Sequence, residues 1–492
     1  MLFNSADYVL AFLPICFFAY FWLNASRLAV FGKAWLVAAS LFFYGWWNPV
    51  YLPLMVASIL FNFAIGSRLA RARVRGFQPR TSLLAFGVLV NLGVLGYFKY
   101  ASFLVGNLNA LSGAQLALPS IVLPLAVSFF TFTQIAYLVD SHKGIAREYS
   151  LLNYFLFVTF FPHLVAGPIL HHKEMMPQFA SRWTLPVRYP NIALGLMLIS
   201  LGLFKKAIIA DGFAQWATAG FDQAATLNFF EAWVSSLSYT FQLYFDFCGY
   251  TDMAIGSALL FNIRLPINFN SPYRALNVRD FWRRWHMTLS RFLRDYVYIP
   301  LGGSGAGAAR MYVALLVTFV LGGLWHGASW MFVIWGALHG VAMVLHRAWS
   351  AIGLRMPKIL AWFVTFNFIN LTWVFFRAKE MKDAVKVLRG MAGLDGLVLP
   401  HQLTLYLPQL GKSGLAFGPW IAGIGADYRT VLMLIGAFIL VLGFRNTSQL
   451  AAPSANAPLL QYRWALLCAV LGSVSLVSIL ASTYSEFIYF NF

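Results

Sequence analysis

Apolar stretches broken by short polar loops recur along the whole chain, at 8–23, 35–47, 51–65, 83–97, 121–139, 151–170, 192–204 and 229–247, and again at 312–325, 328–345, 359–376, 431–444 and 464–479. A helix needs about 20 predominantly apolar residues to cross the hydrocarbon core of a bilayer. Such runs, repeated about a dozen times, predict an all-α polytopic membrane protein with roughly 11 to 13 membrane helices. Two polar interruptions stand out. The segment 277–295 carries five arginines among aromatic residues and cannot span. Its stripe of Phe281, Trp285, Leu289 and Phe292 predicts an amphipathic helix lying at an interface, at the mouth of a cavity. The other interruption is a polar insertion at about 377–428. It opens with Met381, Ala384, Val385, Leu388 and Met391 at helical spacing and Lys382, Lys386 and Arg389 between them, the pattern of an interfacial helix covering the edge of the bundle.

Composition narrows the class. Of 492 residues, 60% are hydrophobic and 10% charged, where soluble domains carry about 25% charged residues. With neither a long Ser/Pro-rich linker nor an obvious repeat, residues 1–492 read as a single membrane domain. The net charge of +19 comes from 35 basic and 16 acidic residues. In a membrane protein that excess marks cytoplasmic loops, and no other feature points to nucleic acid. The densest basic cluster, Arg68, Arg71, Arg73, Arg75 and Arg80, is therefore expected in the cytoplasm, which puts the N-terminus outside after three crossings; Arg27 and Lys33 agree. Asp7 precedes the first run without any Lys or Arg, and no small-residue site closes that run, so a cleavable signal peptide is not expected. Lys173, Arg182 and Arg188 precede the run 192–204, and Lys205 and Lys206 end it. Both flanks thus read as cytoplasmic, and a re-entrant segment would reconcile them. Cys16, Cys248 and Cys468 all lie in or beside apolar runs, which supports neither a disulfide framework nor a Cys-rich metal site.

The candidate chemistry lies in polar residues at membrane depth. His326, in Leu321-Gly-Gly-Leu-Trp-His-Gly-Ala-Ser-Trp330, falls where one apolar run ends and the next begins. An ionisable group there costs roughly 2.5 kcal/mol or more and persists where it faces a cavity or a functional pathway. A neutral imidazole can take a proton from a hydroxyl and return it, so His326 is a candidate general base. Gly322, Gly323 and Gly327 are expected to weaken the helix beside it and let backbone and substrate approach. His286 shares a helical face with Trp282, Leu289 and Leu293, and either lines a pathway or hydrogen-bonds to backbone. The arginines of 277–295, Arg283, Arg284 and Arg291 among them, are either cytoplasmic anchors or a surface for the phosphates of an anionic donor. Asp246 and Asp252, six residues apart, would point in different directions on one helix unless Gly249 breaks it. They are expected to pair with arginines or polarise a histidine. His163 lies between Pro162 and Pro168 and either lines a pocket or satisfies freed carbonyls. His339 falls off the face of His326, and no i, i+4 histidine pair suggests a metal.

Several segments, in their order and spacing, resemble the membrane-bound O-acyltransferase family in its bacterial alginate O-acetyltransferase branch, whose relatives act on cellulose, peptidoglycan and teichoic acid. They are Leu2-Phe-Asn-Ser5, Phe43-Tyr-Gly-Trp-Trp47, Gly96-Tyr-Phe-Lys-Tyr100, Phe161-Pro-His-Leu-Val-Ala-Gly-Pro168, Gln242-Leu-Tyr-Phe-Asp-Phe247, Phe281-Trp-Arg-Arg-Trp-His286, Gly322-Gly-Leu-Trp-His-Gly327, Phe375-Phe-Arg-Ala378 and Phe487-Ile-Tyr-Phe490. The resemblance implies that His326 is the catalytic histidine and His286 the second histidine, at the mouth of a central channel. It implies helices ringed around a thin central layer, with funnels from both faces. It also implies acetyl transfer from a cytoplasmic donor, acetyl-CoA, across a bacterial inner membrane, with no resident cofactor. The implied partner beyond lipid is a periplasmic SGNH-type acetyltransferase or the polysaccharide acceptor itself, alginate or alternatively peptidoglycan or cellulose. Two positions depart from the pattern. Cys248 replaces the usual serine, as a packing choice and not a thiol nucleophile, and the loop after Leu301-Gly-Gly303 lacks the arginine often found there. A glycan or lipid-intermediate transporter is the competing class, although no repeated halves are visible.

Overall fold

The computed structural model describes every residue except 79, 149, 166, 306, 407–408, 410–415, 452–460, 482–486 and 489–492. The last two residues of the C-terminal motif, Ala166 of the proline motif and Ala306 of the loop after Gly303 therefore lie outside the described residues. Helix dominates, as the apolar patterning predicts. Among the described residues eight helices are long and apolar enough to cross a bilayer: Asp7–Ala25, Pro49–Val74, Thr81–Ser112, Tyr189–Gln223, Ala308–His326, Trp330–Ile352, Lys358–Arg377 and Tyr462–Ala481. Ala29–Gly45 and Tyr428–Gly443 are apolar but shorter. The described strands, Val398–Pro400 and Ala416–Gly418, pair in parallel within the polar insertion.

Of the expected crossings that turn out differently, two do so for a clear local reason. The run 151–170 is not one helix, because Pro162 has no N–H and its ring would strike the carbonyl four residues back. Leu151–Thr159 therefore stops, and Phe161–Leu164 restarts with the proline in its first turn. The Phe161 N–H goes to Ser40 Oγ at 3.0 Å, which leaves the Phe157 carbonyl without its helical donor. His163 Nε2–H replaces that donor at 2.9 Å. Of the two readings of His163, capping a freed carbonyl is the one realised.

The run 192–204 likewise does not turn back. Tyr189–Gln223 is a continuous helical stretch of 35 residues, so Lys205 and Lys206 lie in its middle. Lys206 is only 2% exposed, and its Nζ sits 2.8 Å from Asp211 and 2.7 Å from Asp246. Carboxylates within the protein balance the charge that the sequence reading assigned to a cytoplasmic surface, and the partner of Asp246 is this lysine in place of an arginine.

The chain divides into two compact units, one built from Met1–Phe204, Gly249–Asn268 and Leu450–Phe492, the other from Lys205–Cys248 and Phe269–Gln449. In the first, Tyr250 is stacked between Phe3 at 4.6 Å and Phe487 at 4.1 Å, so motifs from both ends of the chain meet on one ring. Asn62 and Asn91 exchange amide hydrogen bonds of 3.1 and 2.7 Å between neighbouring helices, a polar link that persists where lipid offers no competitor. In the second unit, the helix Met381–Met391 opens the polar insertion behind a capping box of Glu380 and Asp383. Its buried face is Ala384, Val387, Gly390 and Met391, rotated from the expected stripe, with Met381 and Val385 exposed. Lys386 sets the rotation, because its Nζ donates to the carbonyls of Phe221 and Ala224 at 2.9 and 2.7 Å.

Candidate active site

His286 and His326 both fall in the second unit, and the fold brings them together. His326 is the last residue of Ala308–His326; Gly327 follows in extended backbone, and Ser329, also extended, immediately precedes Trp330–Ile352. The histidine thus sits at the turn of a helical hairpin. The nearby glycines do not loosen the helix, which runs unbroken through Gly322 and Gly323. A Cβ on Gly323 would lie 2.2 Å from the Phe332 carbonyl oxygen, and one on Gly336 would lie 2.4 Å from that of Phe319. These two positions let the hairpin backbones touch, which is how helices associate where solvent supplies no hydrophobic force.

Four rings enclose the imidazole of His326, which is 4% exposed. Their centroids lie 4.9 Å away for Trp325, 5.0 Å for Phe376, 5.3 Å for Trp335 and 6.4 Å for Phe332. His286 is the fifth neighbour, at 6.5 Å.

The segment 277–295 is two helices and not one. Val278–Trp282 and Met287–Leu293 are separated by a break in which His286 adopts φ 42°, ψ 53°. A left-handed residue with a β-carbon costs about 1 to 2 kcal/mol. The break still buries the expected stripe of Phe281, Trp285, Leu289 and Phe292. It also turns the His286 ring edge-on to Phe247, 4.8 Å away, and to Trp325, 6.0 Å away. His286 is fully buried, and burial pushes its imidazolium pKa down to about 3, so the ring is neutral at neutral pH.

The other candidates divide by their partners. His339 is held in a closed network. Trp282 Nε1–H donates to its Nδ1 at 3.2 Å, so Nε2 carries the proton and donates to Thr372 Oγ1 at 3.1 Å; that hydroxyl passes its own proton to the Ile369 carbonyl at 2.8 Å. With both nitrogens occupied, His339 is a packing histidine. Asp246 and Asp252 lie on the uninterrupted helix Phe229–Leu260 and form no dyad. Arg284 is committed to Asp280 at 2.9 Å and to the Asn270 carbonyl at 3.4 Å, Arg291 is half-buried, and Arg283 is exposed. Cys248 is buried and accepts from Lys205 Nζ at 3.4 Å, a packing position as expected. The loop after Leu301 obtains its basic contact from Arg310, whose Nε donates to the Leu301 carbonyl at 2.9 Å.

The sequence reading did not find the group behind Phe376. Arg377 forms a two-pronged pair with Asp222, Nη1 to Oδ1 at 3.2 Å and Nη2 to Oδ2, and its guanidinium lies over Phe221 at 5.5 Å and Tyr239 at 5.9 Å. The pair anchors the end of Lys358–Arg377 one residue from the ring that faces His326. An arginine closing a run with three preceding aromatics was the visible signal, but its carboxylate partner is 155 positions away.

Comparison with known proteins identifies the family. The family model described as MBOAT, membrane-bound O-acyltransferase family, matches residues 81–379. A peptidoglycan O-acetyltransferase of Helicobacter pylori is 46% identical, over 100% of this chain and 98% of its own length. A probable alginate O-acetylase of Pseudomonas aeruginosa is 37% identical, over 93% of this chain and 85% of its own. A teichoic acid D-alanyltransferase of Bacillus subtilis is 28% identical, over 52% of this chain and 69% of its own. The chain belongs to the membrane-bound O-acyltransferase family and is a multi-pass membrane O-acyltransferase.

Proposed function

We propose that this enzyme O-acetylates a cell-envelope glycan outside the cytoplasm, taking the acetyl group from acetyl-CoA on the cytoplasmic side of the inner membrane, with His326 as general base. The observation that carries this reading is a buried imidazole at the turn of a close-packed hairpin, enclosed by four rings and one ring away from a second, neutral histidine. A hydroxyl is a weak nucleophile at neutral pH. As its oxygen attacks the thioester carbonyl, its proton passes to His326; the C–S bond then breaks and the leaving thiolate takes that proton, so the products are an O-acetyl ester and a free thiol. His286, neutral and buried, orients the donor from the other side. Of the three arginine candidates for the donor phosphates, Arg283 is the one whose exposure leaves it available, since Arg284 is committed to Asp280. Family membership replaces the transporter reading.

Peptidoglycan is the acceptor class we favour, since the relative named for it is 46% identical over the whole chain and the alginate relative 37%. A periplasmic SGNH-type acetyltransferase, or the glycan itself, receives the acetyl group. The test uses membranes carrying wild-type or His326→Gln protein supplied with radiolabelled acetyl-CoA, with base-labile acetate counted in murein and in exopolysaccharide. Glutamine keeps a polar group of similar size but cannot take the proton. A loss of roughly 10² to 10⁴ in rate at near wild-type abundance is expected. Substantial transfer by the variant would rule out general-base catalysis, and label in exopolysaccharide alone would reassign the acceptor.

A further inference from the structure

We propose that the indole N–H of Trp335 is the hydrogen-bond donor that stabilises the negative charge developing on the acyl carbonyl oxygen during transfer. This rests on the reading of His326 as the base. As the acceptor oxygen bonds to the carbonyl carbon, the π electrons of the C=O move onto its oxygen. They return when the C–S bond breaks. A donor aimed at that oxygen lowers the barrier without giving up its proton.

Three observations select Trp335. Its ring stands 88° to His326 with centroids 5.3 Å apart, so a carbonyl bound against the imidazole is one ring away from it. Its residue is 1% exposed, and its Nε1 has no hydrogen-bond partner among the described residues. A buried donor left without an acceptor is costly, and folded proteins rarely keep one without a use for it. Finally, the backbone donors of the turn and the Trp282–His339 pair are occupied, and Trp373, whose Nε1 is also unpartnered among the described residues, stacks behind Trp335 at 5.7 Å. At the turn, Gly327 N–H goes to the Gly323 carbonyl at 3.4 Å and Ser329 N–H to that of Gly327 at 3.0 Å. Trp282 Nε1–H is held by His339 at 3.2 Å, and His339 is itself saturated. The Trp335 ring is wedged among Phe376 at 5.0 Å, His339 at 4.8 Å and Trp373 at 5.7 Å, which fixes the direction of its N–H before substrate arrives. Preorganisation of this kind is what makes a transition-state donor effective.

The test is Trp335→Phe, which keeps an aromatic ring and removes the N–H, assayed in the full-length protein with acetyl-CoA as the probe. We expect kcat to fall by roughly 10² to 10³, KM for acetyl-CoA to stay within about threefold, and the midpoint of the pH–rate profile to be unchanged, since the base is intact. A purely structural role would instead move thermal stability and KM together. A benzothienylalanine at position 335 keeps the bicyclic shape with sulfur in place of N–H, and it decides the matter if the phenylalanine variant accumulates poorly. Retention of more than about a third of kcat by that isostere would overturn the assignment. If His326→Gln is inactive while the isostere is active, only the indole assignment falls. If His326→Gln is active, the reading it rests on fails first.

Discussion

His286 holds a left-handed backbone that an ordinary helical residue would avoid, and the position of its ring depends on it. That coupling predicts different outcomes for two substitutions. Asparagine tolerates the left-handed region and keeps a hydrogen-bonding side chain. His286→Asn should therefore accumulate near wild-type levels while transferring acetyl more slowly, through misplacement of the donor. His286→Ala keeps the strain and opens a cavity against Phe247 and Trp325, which should cost about 2 to 4 kcal/mol. Comparable melting temperatures for the two variants would refute this account of the site. The pH dependence follows from the same burial. The ring's pKa is lowered from 6.5 to about 3, so below about pH 6.5 the unfolded chain takes up a proton that the folded chain refuses. This contribution vanishes above pH 6.5 and destabilises progressively as pH falls toward 3. His286→Asn should flatten the acid side of a plot of melting temperature against pH; an unchanged slope would mean that other groups set it.

At the scale of elements, the buried lysine in the middle of Tyr189–Gln223 is a ligature between helices. Breaking a buried ion pair by removing one partner costs about 3 to 5 kcal/mol, whereas replacing both partners with apolar groups is often neutral. Lys206→Met should thus reduce the folded yield in detergent sharply, and Lys206→Met with Asp246→Leu should recover most of it. A single variant as stable as wild type would show that Lys206 is dispensable to the packing. The same lysine marks a limit of sequence reading. Apolar length located most crossings, and the cost of an ionisable group at membrane depth singled out His326 before any contact was known. Charge counting failed at Lys206 because pairing is decided by the fold: one of its two carboxylates, Asp246, lies 40 positions away in the chain. Helical periodicity found the buried stripe of 277–295 but not the break inside it, since periodicity records which face is apolar and not where one residue leaves the helical region. The glycines around His326 were visible, yet their role depends on Phe332 and Gly336, which only the folded hairpin brings against them.

At the scale of the whole molecule, the charge pattern and the hairpin together state where the chemistry is presented. Arg310 opens the hairpin, exposed Arg347 lies near the end of its second helix, and exposed Arg355 and Lys358 follow it, so both open ends should face the cytoplasm. The first helix has 19 residues, or about 28 Å at 1.5 Å per residue, close to the thickness of the hydrocarbon core. The turn that carries His326 should therefore lie far from the cytoplasmic surface, as the outward transfer proposed above requires. In the first unit, the arginines that end Leu52–Val74 are expected in the cytoplasm, which puts the segment directly after Thr81–Ser112 outside. Substituted-cysteine labelling can check this, because Cys16, Cys248 and Cys468 are buried and should stay silent. In intact cells, a membrane-impermeant maleimide should label Gln115→Cys but neither Gln78→Cys nor Leu354→Cys, and all three should react once the membrane is opened. Labelling of Leu354→Cys from outside would invert the hairpin and turn its closed end, with His326, toward the cytoplasm. The donor and acceptor sides proposed for this enzyme would then have to be exchanged.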